Sequence, residues 1–261
     1  LLHETTRWIP RAPLGHQSTR RALLEKPVAI PRAAVKGLIS APLPFLRAYS
    51  HVLEMQDVHM PEFLAFIENL NIVQTAPAPL QALGLVGTGI GFVPWHWAFA
   101  AGAALEITAA AASKSITVSR TKTFLETVNS EYFGPRNLKV SLRKDEELAG
   151  ITGYPESWPA LVPVDEHMTI VSVRDRRMQA LAPYIAPLSL DVPPPAPPQN
   201  MLDKISAKTV ARKLQNQNKK DLKEQKKLRE DEGDEEDPEK RERKNLKKVK
   251  KLEYIVIENL H

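Results

Sequence analysis

The sequence predicts a mainly helical α+β fold: a helical domain around a glycine- and alanine-rich hairpin, a small sheet beside it, and a charged C-terminal tail. Three observations carry that expectation. No Asp, Glu, Lys or Arg occurs between Glu68 and Glu106, a run of 37 residues. Apolar residues recur at helical spacing on both sides of that run. Short β-branched stretches follow the helices and close the chain.

Residues 1–42 mix Arg, Pro and small apolar residues without a sustained period, and Pro10, Pro13, Pro27, Pro31 and Pro42 interrupt any helix. They are expected to be a disordered lead-in to a domain over 43–191. From Phe45 the pattern changes. Phe45, Leu46, Tyr49, Val52 and Leu53 fall at helical spacing, and Pro61 opens a second run whose Phe63, Leu64, Phe66, Ile67 and Leu70 form a broad apolar face. Two short packed helices are expected there.

The uncharged segment centres on residues 80–112. Gly84, Gly87, Gly89 and Gly91 fall within eight residues, and each glycine inside a helix costs about 1 kcal/mol relative to alanine. Close helix-to-helix approach accounts for them. Gly87 and Gly91 form a Gly-x-x-x-Gly pair, and Gly102 continues the small-residue theme beyond a break at Pro94-Trp95-His96-Trp97. The expectation is a hairpin packed through Gly84, Gly87, Gly91 and Gly102, with Trp95 and Trp97 as interface anchors. Its second arm runs on through Ile116, Val118, Phe124, Leu125 and Val128 to a stop at Gly134-Pro135.

Residues 138–142 and 169–173 alternate as strands do, around a Pro- and Trp-bearing loop at 154–163, and Tyr254-Ile255-Val256-Ile257 makes a terminal strand within 253–261. Residues 192–198 read Val-Pro-Pro-Pro-Ala-Pro-Pro, a polyproline II spacer that sets a domain boundary at 192–199. Residues 200–252 then form a charged, partly helical tail. Seven of the eight residues 230–237 are acidic, and a basic run follows to Lys251.

The formal net charge of +5 lies entirely in that tail: residues 203–253 hold 18 of the 36 Lys and Arg and 13 of the 31 Asp and Glu, leaving 18 of each elsewhere. Cysteine is absent, which excludes disulfides, thiolate metal sites and cysteine nucleophiles and suits an intracellular setting. The chain begins with Leu1, so the lack of a signal peptide carries no weight.

Candidate sites are few. Gly87, Gly89 and Gly91 lack the third glycine of a dinucleotide loop, and no Gly-Lys-Ser or Gly-Lys-Thr is present. His51, Glu54, Asp57 and His59 form one cluster of metal-ligand types, at a helix end and its loop, where surface caps are the simpler reading. Asp165-Glu166-His167 has no placed serine, and Arg174, Arg176 and Arg177 read as a solvated basic patch. Pro194 and Pro197 have bare Pro-x-x-Pro spacing without a flanking cation. No catalytic residue, cofactor, metal or small-molecule ligand is inferred.

Three stretches carry a resemblance: Phe45-Leu46-Arg47-Ala48-Tyr49-Ser50, residues 63–71, and Tyr132-Phe133-Gly134-Pro135-Arg136-Asn137-Leu138. In that order, with an apolar small-residue segment between the second and third, they resemble a group of uncharacterised proteins from filamentous fungi over about residues 43–142. Where that group has Pro-Arg-Gly-Leu this chain has Asn137, the next best residue for a left-handed turn. The resemblance implies no activity.

The function expected from sequence is therefore non-enzymatic: an intracellular protein that associates with a membrane or partner helices through 80–112. Lys247, Lys248, Lys250 and Lys251 would add electrostatic contacts to an anionic surface. The alternative is a nuclear or nucleic-acid-associated protein acting through the basic tail 204–251. That tail has no aromatic residue for base stacking.

Overall fold

Tyr254-Ile255-Val256-Ile257 is apolar without alternation, and such a run suits a strand covered on both faces. In the computed structural model, which describes residues 2–10, 23–33, 43–75, 110–163, 172–194 and 238–260, all four side chains are buried. They belong to β3, Glu253–Asn259, the central strand of a three-stranded antiparallel sheet in the order β1-β3-β2. β1 is Val28–Pro31 and pairs Val28 with Ile257; β2 is Leu138–Lys144 and pairs Lys144 with Glu253. Six α-helices accompany this sheet among the described residues, so the fold class is α+β.

The period-2 geometry of β3 divides its side chains between two cores. Ile255 and Ile257 join Val28, Ile30, Leu138 and Val140 beneath a layer formed by α2, Met60–Thr75, and α3, Ala110–Val128. Tyr254 and Val256 join Ala29 on the other face, against Leu148 of α4, Asp145–Thr152, and Leu181 of α5, Val173–Leu181. Each fully buried isoleucine contributes about 1.5–3 kcal/mol. A short α1, Leu2–Thr5, leans on α2, and α6, Pro238–Val249, packs against α5 through Val249 and Val173.

α2 forms where the apolar spacing predicts, with Phe63, Phe66, Ile67, Leu70 and Val73 buried along one stripe. It runs antiparallel to α3: Glu62 near its start meets Tyr132 just past the end of α3, and Phe66 stacks on Phe124 at 6.1 Å. Beyond Val128 the helix widens into a π turn, Asn129–Phe133, then tightens into a 3₁₀ turn, Gly134–Arg136. Asn137 stops it in the left-handed region at φ 57°, the role expected of it. Gly134 is required by close approach. A Cβ there would lie 2.5 Å from the carbonyl oxygen of Asn129.

Several expectations are corrected. The lead-in 1–42 contains β1 and α1, and its Ile9, Leu24, Val28 and Ile30 enter the core. Pro27 precedes β1 and Pro31 is its last residue, and neither breaks it because β1 lies at the sheet edge, where a missing N–H is tolerated. Residues 43–50 are not helical: the chain there bridges Arg32 to Phe45 and Tyr49 to Ser189, and only His51–Gln56 turns, as a 3₁₀ helix. Tertiary pairing, with Phe45 N–H donating to Asn71 Oδ1, overrides its helical spacing. Val173 begins α5 rather than ending a strand, because Ser172 Oγ caps it by accepting from Asp175 N–H at 3.0 Å. Nor does the body end at the 192–199 boundary. Within the supposed tail, α6 packs against α5, and the terminal strand is the centre of the sheet. Most of the 80–112 hairpin, with Gly84, Gly87, Gly91, Trp95, Trp97 and Gly102, and the tail over 200–237 lie outside the described residues.

Candidate functional site

Strand parity builds the site at one end of the sheet. β1 and β2 both run toward this end, and β3 starts there. Arg32, Glu253 and Lys144 follow the parity of Ile30, Ile255 and Leu142, so they form a row across the strands on the α2/α3 face. Arg32 is buried and fully engaged. Its Nε donates to Glu253 Oε2 at 2.6 Å, Nη1 to the Leu43 carbonyl at 2.6 Å and Nη2 to Gln74 Oε1 at 2.9 Å, while its guanidinium lies 4.0 Å from the Phe45 ring centre. Burial lowers its pKa from the usual arginine value, and the Glu253 carboxylate opposes that shift.

Gln74 belongs to the last turn of α2, so Arg32 ties the C-terminus of α2 to the start of β3. Because α2 and α3 are antiparallel, the N-terminus of α3 lies at this end too. Arg174 donates to the Ala33 carbonyl and pairs with Asp175 at 2.6 Å. The last turn of α6 holds Lys247 and Lys248, and Lys250 and Lys251 follow just before β3. Lys144 joins them from β2, since it pairs with Glu253 and the next N–H, that of Asp145, donates to the Leu252 carbonyl at 3.2 Å. Lys144, Lys247, Lys250 and Lys251 are all exposed.

Behind this end, on the other face, a buried network links α4, α5 and β3. Asp145 Oδ1 accepts from Arg177 Nε at 2.8 Å and from the Tyr254 hydroxyl at 2.9 Å. Arg177 also donates to the Ala160 carbonyl and lies 4.5 Å from the Tyr154 ring centre. Arg176 donates to the Val162 carbonyl and approaches Glu242 of α6 at 3.4 Å. The expectation of a solvated Arg174–Arg176–Arg177 patch is thus overturned for the last two, whose side chains are 4% and 2% exposed. Burial first, then the Asp145 carboxylate, pushes the Tyr254 phenol well above its ordinary value. The group is a fixed hydrogen-bond donor.

At the opposite end, Arg136 spans Asp57 and the Tyr132 carbonyl, while the Tyr132 hydroxyl donates to Glu62 Oε2 at 2.5 Å. The sequence cluster of metal-ligand types resolves into pairs, His51 with Glu54 at 3.4 Å and His59 with Asp57 at 3.3 Å. Among the described residues no group of three His, Cys, Asp or Glu is placed to hold a metal. A shallow depression of about 370 Å³ nearby is lined by His3, Thr6, Arg7, Ile9, Pro10 and Glu131.

Of the residues singled out from sequence, Lys247, Lys248, Lys250 and Lys251 come together at the sheet end, while Asp165-Glu166-His167 lies outside the described residues. Sequence reasoning missed Lys144, Arg32 and Gln74. Lys144 has one readable signal, its place between an alternating strand and the acidic helix start Asp145-Glu146-Glu147. Arg32 has none. No described helix is long and apolar enough to cross a membrane. No family model, curated protein or solved structure matches the chain.

Proposed function

We propose that this chain is a non-enzymatic, intracellular protein that associates with a membrane, or with partner helices, through the uncharged segment 80–112. Lysines beside the roots of that segment add electrostatic contacts. The observation that carries the reading is a coincidence of place. The described part of α2 reaches Thr75 and that of α3 begins at Ala110, at the same end of the body as Lys144, Lys247, Lys250 and Lys251. The chain between those two points holds the 37-residue run without a charge, and about 20 apolar residues suffice to span a bilayer. Apolar and cationic features on one side are what attachment to a charged, oily surface requires.

Carbonate extraction of the full-length protein from lysate tests the reading. Retention in a pellet that detergent dissolves is the expected result, and Gly91→Leu should release the protein by blocking close backbone packing. Complete release of the unaltered chain would overturn membrane insertion.

The rival reading, a nuclear or nucleic-acid-associated protein acting through the basic tail 204–251, rests also on the ten Lys and Arg of residues 204–229, and expects nuclear or nucleic-acid retention to be lost without them. Its test is deletion of 200–237 alone, since a longer cut removes α6 and the buried Val249 and Leu252.

A further inference from the structure

The lysines at the sheet end outnumber the carboxylates beside them, Glu253, Glu146 and Glu147. Three cations there are already matched: Arg32 by Glu253, Arg143 by Glu147 at 3.4 Å, and Arg174 by Asp175. Lys144, Lys247, Lys250 and Lys251 are exposed, and none of them forms an ion pair among the described residues. Glu146, the second residue of α4, and Glu147 after it are exposed carboxylates close to Lys144, and Glu147 is taken up by Arg143. The C-terminal carbonyls of α6 offset part of the charge of Lys247, but they act only within the last turn. The surplus of positive charge lies at the end of the sheet where Gln74 in the last turn of α2 meets Arg32.

Resting on the membrane reading above, we infer that Lys144, Lys247, Lys250 and Lys251 form a docking surface for an anionic phospholipid bilayer. Charge complementarity names the partner's sign. The convergence of α2 and α3 on the same end names its class, because a nucleic acid has no use for an adjoining charge-free segment. Lys144 is the residue that distinguishes a surface from a tail: it comes from β2, more than a hundred residues before α6. Near an anionic leaflet each lysine is worth about 1 kcal/mol, or about fivefold in partitioning.

The test is co-sedimentation of the full chain with vesicles of phosphatidylcholine alone and with vesicles rich in phosphatidylserine. The proposal expects tighter binding to the phosphatidylserine vesicles, and a loss of about a hundredfold or more in that preference when all four lysines become Gln. Phosphatidylcholine binding should persist in that variant. Lys144→Gln alone should lose about fivefold, and Lys139→Gln, at the far end of β2, should lose none. Equal binding of wild type and the fourfold variant to phosphatidylserine vesicles overturns the surface, as does equal binding of wild type to both vesicle types. Binding to neither vesicle overturns the membrane reading itself. Tighter binding to a random-sequence duplex than to phosphatidylserine, lost with the same four lysines, would reassign the surface to nucleic acid.

Discussion

Replacing Asp145 with Asn should destabilise the fold by leaving a buried guanidinium without a counter-charge. The side chains of Asp145 and Arg177 are 9% and 2% exposed, with 2.8 Å between Oδ1 and Nε. Asparagine keeps an oxygen that accepts from Arg177 or from the Tyr254 hydroxyl, so the change removes charge more than geometry. Arg177 would then have neutral partners alone, the amide oxygen, the Ala160 carbonyl and the face of Tyr154. Removing one member of a buried pair costs about 3–5 kcal/mol. The slight solvent access of Asp145 places this case near the lower limit, about 3 kcal/mol. For a chain of this size that corresponds to a fall of about 6–12 °C in Tm. Urea unfolding should show a lower midpoint at an unchanged slope. The double variant Asp145→Asn with Arg177→Met removes the stranded charge and should recover about half of the loss or more. An Asp145→Asn variant within about 0.5 kcal/mol of wild type would refute this cost, as would a double variant that loses the full sum of the two single changes.

Gly134→Ala should cost about 1–3 kcal/mol, because its Cβ would meet the Asn129 carbonyl oxygen at 2.5 Å; a thermal melt within 1 °C of wild type would contradict this. Asn129 accepts from Val140 N–H at 2.7 Å and donates to its carbonyl at 2.8 Å, closing the outer edge of β2. Asn129→Ala should therefore lower stability by about 2 kcal/mol and produce concentration-dependent association in light scattering. Tyr132 and Tyr254 are buried, with folded pKa values raised above the ordinary 10.0. Their contribution is complete below pH 10.0, where the unfolded chain is also protonated, and is lost as pH rises beyond it. Stability should fall by about 1.4 kcal/mol per pH unit for each, and Tyr254→Phe should halve the slope that the two produce.

Local pattern specified what depends on neighbours a few residues apart. The stripe of Phe63, Phe66, Ile67 and Leu70 marks α2, the alternation from Leu138 marks β2, and the β-branched run at 254–257 marks β3. Asn137 announces its left-handed stop for the same reason, since its side-chain chemistry acts on its own backbone. The charge excess after residue 200 was equally plain, and four of its lysines fall within five residues, at the end of α6 and just before β3.

Tertiary structure decided everything set by partners distant along the chain. Val28 became a strand residue because Ile257 lies opposite it, and no periodicity in a four-residue edge strand between prolines announces that pairing. Residues 45–50 have helical spacing yet run extended, because Asn71 and Ser189 take their backbone hydrogen bonds. Arg176 and Arg177 read as solvated because clustered charge usually is; only Asp145, 32 residues earlier, makes burial of Arg177 tolerable. The sheet-end row of Arg32, Glu253 and Lys144 exists only once three strands are in register, because the sequence alone does not place those residues side by side.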